Sequence, residues 1–212
     1  MSEPSLTMNV QYRKHQYTTD GEYFKYSGRH WRINNRHGGV FTSMLKRIFE
    51  QIFVMFSYDS KLFVARFDLH QNHASSSSKH ISDFFQRLKS ELNESHDLKY
   101  FGYAWCREES ATIKQHYHIA LLLEGHKIRS PHKLLNIIKN LWIQSGGSSV
   151  YRANYHNLHR DDECGIADVI FHLSYLAKVT GKSVLPSNFK AFSSSRLKSK
   201  EIKMVSSSSS QK

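Results

Sequence analysis

From residue 41 to residue 179 the apolar residues change period repeatedly, from one in three or four to every second position and back. A chain patterned in that way builds a sheet with helices packed on it. Phe41, Leu45, Ile48, Phe49, Ile52, Phe53 and Phe56 recur at helical spacing and predict a helix over about 41–57 that packs on the main domain. KLFVARFDLH at 61–70 alternates as a strand, with Phe63, Ala65, Phe67 and Leu69 on one face and Val64, Arg66, Asp68 and His70 on the other. A serine run at 75–78 ends it, and Ile81, Phe84, Phe85, Leu88 and Leu92 mark a second helix. YFGYAWCRE at 100–108 alternates again, and QHYHIALLL at 115–123 is its hairpin partner. Ser130 and Pro131 read as an N-cap and first-turn proline before a helix carrying Leu134, Leu135, Ile138, Leu141 and Trp142, which Gly146 and Gly147 stop. A weaker strand near 149–156 and a final helix over about 164–179 complete the order. The order α-βαββαβ-α predicts an α+β fold: a ferredoxin/RRM-like antiparallel sheet (βαββαβ) with helices on one face, an extra N-terminal helix and a C-terminal helix bearing a tyrosine.

Flanking this domain, taken as residues 41–185, are two segments of different composition. Residues 1–40 form a basic aromatic arm, with six Lys or Arg against two acids between 11 and 40, interleaved with Tyr12, Tyr17, Tyr23, Phe24, Tyr26 and Trp31. Cations beside stacking rings suit a single-stranded nucleic acid, with Arg29, Arg32 and Trp31 as contacts, and a solvated arm accounts for the same residues equally well. Residues 186–212 are rich in Ser and Lys and too poor in apolar residues to repay ordering, so a disordered tail is expected there. The net charge of +12 and pI near 9.7 favour a polyanionic partner. Two cysteines are too few for a disulfide framework, and no apolar run approaches the roughly 20 residues that span a bilayer, so a cytoplasmic protein is expected.

Side-chain parity gives the hairpin a chemical face. Phe101, Tyr103 and Trp105 fall with Tyr117, Ile119 and Leu121, whereas Glu108 falls with His116 and His118 among Gly102, Ala104, Cys106 and Ala120. Asp68 points the same way. With 14 His in the chain, a His-x-His triplet is expected about once by chance. The converging acid is what turns His116 and His118 into candidate ligands for a divalent ion, with positions left for substrate oxygens. Whether Asp68 or Glu108 is the third ligand stays open. A zinc site from His156, His159 and Cys164 lacks a good fourth ligand.

The last predicted helix supplies a nucleophile. Along this helix, Ile166, Ile170, Leu173 and Ala177 form the apolar face, and Asp168, His172, Tyr175 and, at the edge, Lys178 lie away from it, the last three within FHLSYLAKVTGK. Tyr58 with Lys61 repeats the Tyr-x-x-Lys spacing, but it lies in a turn before the first strand. His172 is expected to face solvent.

These features together resemble the HUH (His-hydrophobic-His) endonucleases of rolling-circle replication, relaxation and transposition. The match is carried by His116-Tyr117-His118, the acid in Trp105-Cys106-Arg107-Glu108 and the Tyr-x-x-Lys segment downstream. More closely, VARFDLH, YAWCREE, HYHIALLLEGH and SYLAKVTGK resemble the inovirus gene-2-type replication proteins, the YagK/YfjJ-like family of filamentous phages and prophages. The resemblance covers about residues 41–182. It implies a rolling-circle replication initiator in the bacterial cytoplasm, a nickase that cuts one DNA strand at an origin. Mg2+ or Mn2+ would be held by His116, His118 and Glu108. Tyr175 would be the nucleophile, leaving a 5′-phosphotyrosine, with Lys178 beside it. A free tyrosine titrates near 10, so the phenol needs help from Lys178 or the metal. Single-stranded origin DNA is the implied partner, with Arg66 and Arg107 as further contacts and room for a host helicase and polymerase. The competing expectation is a DNA-binding relative without catalysis that recognises an origin or represses transcription. An RNA-recognition module is disfavoured, because its stacking aromatics belong where this chain places His, Glu, Gly and Ala.

Overall fold

Each alternating run pairs in the register that keeps its large residues together. The computed structural model describes residues 18–36, 38–73, 75–108, 115–180, 182 and 190–200. Its elements are β1 (Thr18–Thr19), β2 (Tyr23–Tyr26), β3 (Arg29–Arg32), β4 (Val40–Phe41), α1 (Thr42–Tyr58), β5 (Lys61–Gln71), α2 (Lys79–His96), β6 (Phe101–Glu108), β7 (His116–Glu124), α3 (Pro131–Gln144), β8 (Gly147–His159), α4 (Glu163–Ser174), a 3₁₀ turn (Tyr175–Ala177) and β9 (Phe192–Ser194). Five strands form one antiparallel sheet in the order β8-β5-β7-β6-β9. The α3 start is as expected, with the Ser130 hydroxyl accepting from the Lys133 N–H. Among the described residues no helix is long and apolar enough to cross a membrane.

The two faces of the sheet carry side chains of different size, and the helices sort accordingly. Phe63, Phe67, Trp105, Tyr117 and Ile119 build a thick layer with Phe84 and Leu88 of α2 and Leu134, Ile138 and Trp142 of α3. Val64, Ala104, Ala120 and Leu122 leave room on the other face for Leu45, Ile48 and Ile52 of α1 and Ile166, Ile170 and Leu173 of α4. At Gly102 a Cβ would lie 3.1 Å from Leu122 Cβ and 3.2 Å from Met55 Cγ, so the missing side chain lets α1 approach. Helices therefore cover both faces, not one as the topology alone predicted.

Three further expectations are corrected by packing. The arm is not separate: β2 and β3 pair, and Trp31, 8% exposed, packs with Phe24 and Tyr26 onto Phe49 and Phe53 of α1. Trp31 is thus a core residue rather than a stacking surface. The Ser-rich tail is ordered in part, because β9 pairs with β6 through Cys106 and Phe192, and the Tyr103 N–H donates to the buried Ser195 hydroxyl. The expected tail outside residues 190–200 lies beyond the described residues, as does the arm before residue 18. The final helix is shorter than predicted and ends at Ser174, so Tyr175 opens the 3₁₀ turn.

Arg107 is the clearest reassignment. It continues the series 101, 103, 105 on the large-residue face and is fully buried. Its guanidinium donates to the carbonyls of Ser75 and Ser77 at 2.9 and 2.8 Å, and lies 5.4 Å from the Tyr117 ring. It organises the serine loop before α2 and reaches no solvent-facing phosphate. Arg107→Met is expected to lower stability by about 2–3 kcal/mol, because buried carbonyls lose their donors. Urea midpoints measure that loss. A salt titration of single-strand affinity with an unchanged slope confirms that no phosphate contact left with the guanidinium.

Candidate metal centre and tyrosine site

Strand register alone brings the acid and the imidazoles together. Glu108 on β6 faces His116 on β7, and Asp68 on β5 faces His118 on β7, so all four side chains share one face. Glu108 Oε2 lies 3.1 Å from His118 Nε2 and 3.8 Å from His116 Nε2. On its other side, His118 Nδ1 lies 2.6 Å from Asp68 Oδ1. Asp68 ionised can only accept, so Nδ1 carries a proton, and in the neutral ring Nε2 is the atom left to ligate. The buried Nε2 has no hydrogen-bond partner of good geometry despite that short distance. A cation shared between Nε2 and the Glu108 carboxylate would use both atoms as ligands. Glu108, His116 and His118 are all buried, their ligand atoms lie within 4.8 Å of one another, and the group could hold a metal ion. Asp68 orients His118 from behind, the arrangement by which an outer carboxylate fixes a ligating imidazole.

The site's charges are arranged around Glu108. Burial alone would raise its carboxyl, but the adjoining His118 ring and the Lys182 ammonium hold it far below the usual carboxylate range. Lys182 Nζ is 2.9 Å from Oε1 and Lys178 Nζ is 3.0 Å from Oε2. Asp68 is likewise lowered against the opposing effect of burial by His118 and Arg66. Both folded values lie below the unfolded ones, so the unfolded chain binds more protons below about pH 5 and stability falls as pH drops through that range. In metal-free protein, Asp68→Asn is expected to flatten the fall in urea midpoint between about pH 5.5 and pH 3. A wild-type slope in the variant would show that the Asp68–His118 contact does not form.

Tyr175 reaches this cluster because the chain after α4 is clamped. Asp162 caps α4 by accepting from the Gly165 N–H, and at the far end Ser174 Oγ accepts from the Asn34 N–H at 2.7 Å. Beyond the 3₁₀ turn, Lys178 bridges to Val40 and the Val179 N–H donates to the Gly39 carbonyl. Gly39 is required there: its φ is +85°, and a Cβ would meet the Thr19 carbonyl oxygen at 2.8 Å. Lys178 Nζ donates to the Tyr175 hydroxyl at 2.6 Å. The Tyr175 ring stands edge-on to His118 at 5.5 Å, and the Arg66 guanidinium lies 5.4 Å from its centroid. Burial works against the Lys178 charge, yet Tyr175 and Glu108 together raise its pKa, so it stays protonated.

The structure therefore gathers Glu108, His116, His118, Asp68, Tyr175, Lys178 and Arg66. It leaves out Arg29, held in an exposed pair with Glu163, and Arg32, which lies over the Phe171 ring; both stand on the hairpin beside α4. His172 is exposed as expected. Among the described residues, converging ligand atoms are found at Glu108, His116 and His118 and not at His156, His159 and Cys164. Sequence reasoning missed Lys182, whose side chain is fully buried against Glu108. Its position, four residues after Lys178 in SYLAKVTGK, was the available signal.

Comparison with curated proteins and with solved structures finds no match. A family model does match, that of the YagK/YfjJ C-terminal domain, and it takes in both the strand carrying the histidines and the segment carrying Tyr175. With residues 25–195 aligned to that model, the chain belongs to the YagK/YfjJ C-terminal domain family.

Proposed function

We propose that the protein is a metal-dependent DNA nickase of the HUH type, built on a ferredoxin-like βαββαβ sheet, that initiates rolling-circle replication of a phage or prophage. One observation carries this reading: the Lys178 ammonium touches both the Tyr175 hydroxyl, at 2.6 Å, and the Glu108 carboxylate, at 3.0 Å. A nucleophile-bearing side chain and a metal-binding group thus stand one ammonium apart. A divalent ion, Mg2+ or Mn2+, held by Glu108, His116 and His118 would polarise the scissile phosphate and offset charge in the transition state. Tyr175 Oη attacks phosphorus, the P–O3′ bond breaks, and the departing O3′ takes a proton from solvent, leaving a 5′-phosphotyrosine and a free 3′-hydroxyl. Lys178, being protonated, is no base; its N–H stabilises negative charge on the phenol oxygen as the proton leaves to solvent. Arg66 steadies the Tyr175 ring and adds positive charge where the phosphate enters. The excess of cations supports an unpaired DNA strand as substrate. A host helicase and polymerase would extend the free 3′-end in the bacterial cytoplasm.

The test is incubation of purified protein and Mn2+ with single-stranded oligonucleotides tiled across the replicon that encodes it, resolved on denaturing gels. Cleavage with a protein–DNA adduct, lost on chelation, is the expected result. Binding without cleavage under every metal condition would leave a non-catalytic origin-binding or repressor protein.

A further inference from the structure

Beside Tyr175, β8, α4 and the loop after β3 enclose a cleft of about 220 Å3 that none of the metal ligands lines. Its floor is apolar, from Val169 and Leu173, both buried. The rings of His156 and His172 stand 5.6 Å apart at 35° on one side. Two side-chain amides, Asn34 and Asn154, and the Arg66 guanidinium complete the lining with Tyr175. Register fixes the position relative to the reacting centre: Asn154 on β8 pairs with Arg66 on β5, two residues along that strand from Asp68. Asn34 is pinned at the rim by its N–H to Ser174.

This chemistry selects an occupant. A phosphate would find one cation, Arg66, which lies 3.3 Å from Asp68. An aliphatic group would cover the floor and leave unmatched the Asn154 amide and the NH2 of Asn34, whose carbonyl oxygen accepts from the Arg36 N–H at 3.4 Å. A planar heterocycle satisfies both demands, lying against apolar and imidazole surfaces while its edge meets amides that each offer a donor and an acceptor. Burial and the neighbouring His172 lower the His156 pKa, so its ring is neutral near pH 7 and keeps an acceptor.

We propose that this cleft receives one unpaired nucleobase of the strand being cut, next to the scissile phosphate, and reads its edge through Asn154 and Asn34. The inference rests on the nickase reading and adds to it a source of sequence preference at the cut. Tyr175 is the shared wall, so seating the base in the cleft sets the adjoining phosphate beside the phenol oxygen.

The experiment uses the full chain and the best-bound tiled oligonucleotide, with a single abasic substitution at each position in turn. Affinity is measured in chelator and cleavage in Mn2+. In wild type, one abasic position bordering the cut is expected to weaken binding about tenfold, the scale of one stacked and hydrogen-bonded base. Asn154→Ala and His172→Ala, both at exposed side chains, are each expected to cause a similar loss on the intact strand and no further loss on that abasic strand. Asn154→Ala should also reduce discrimination among the four bases at that position. Additive losses, or no position that couples to either variant, would overturn the inference even where cleavage proceeds normally. If no oligonucleotide is cut, the nickase reading fails separately, and the coupling measured in chelator still decides whether the cleft holds a base.

Discussion

Tyr175→Phe is expected to abolish the covalent protein–DNA adduct and to lower strand cleavage by at least about 10⁴-fold, the scale seen when a nucleophile is removed. The expectation is sharp because the substitution takes away one oxygen. Lys178 loses its contact with the phenol but keeps the one to Glu108 at 3.0 Å, so no ammonium is left stranded. The ring still stands against His118 and Arg66. Stability in chelator should therefore stay within about 1 kcal/mol of wild type, and Mn2+ affinity should be nearly unchanged. Loss of cleavage together with retained fold and metal binding assigns the chemistry to the hydroxyl. An adduct that persists in the variant would place the nucleophile elsewhere.

Glu108→Ala should produce the largest effect on stability. Removing this carboxylate leaves the Lys182 ammonium, fully buried, and the Lys178 ammonium, nearly so, without their common anion. Breaking a buried ion pair from one side costs about 3–5 kcal/mol, most of it the penalty of an uncompensated charge. In chelator, urea midpoints should show that loss, and adding Lys182→Met to Glu108→Ala should recover part of it by removing the stranded charge. A cost below about 1 kcal/mol would mean that the lysines reach solvent when the acid is gone. The same substitution should weaken Mn2+ binding strongly, since a ligand is lost with the carboxylate. The two readouts are independent, because the first is taken without metal.

The comparison between residue pattern and structure turns on the range over which each interaction acts. Strand parity is local, and it placed Glu108, His116, His118 and Asp68 on one face before any contact was known. The same parity would have put Arg107 among Phe101, Tyr103 and Trp105, where the structure has it; reading its charge in isolation suggested a phosphate contact instead. Trp31 illustrates the opposite case. Nothing in its own segment distinguishes a stacking ring from a core ring, because the partners that bury it, Phe49 and Phe53, are on α1. Composition was equally blind to β9, whose three residues join the sheet through backbone hydrogen bonds that any side chain permits.

Periodicity therefore told the four helices, four of the sheet's five strands, the sheet's two faces and the candidate metal ligands, since each follows from a repeat of two or 3.6 residues along the chain. Three things waited for the tertiary structure: the covering of both sheet faces, the division of roles between Glu108 and Asp68 around His118, and the bridge from Lys178 to both Tyr175 and Glu108. Each depends on where a helix end or a distant strand comes to rest. The clamp of Val40 and Gly39 on residues 178–179, more than a hundred residues away in the chain, is what carries a weak Tyr-x-x-Lys spacing to the candidate metal ligands.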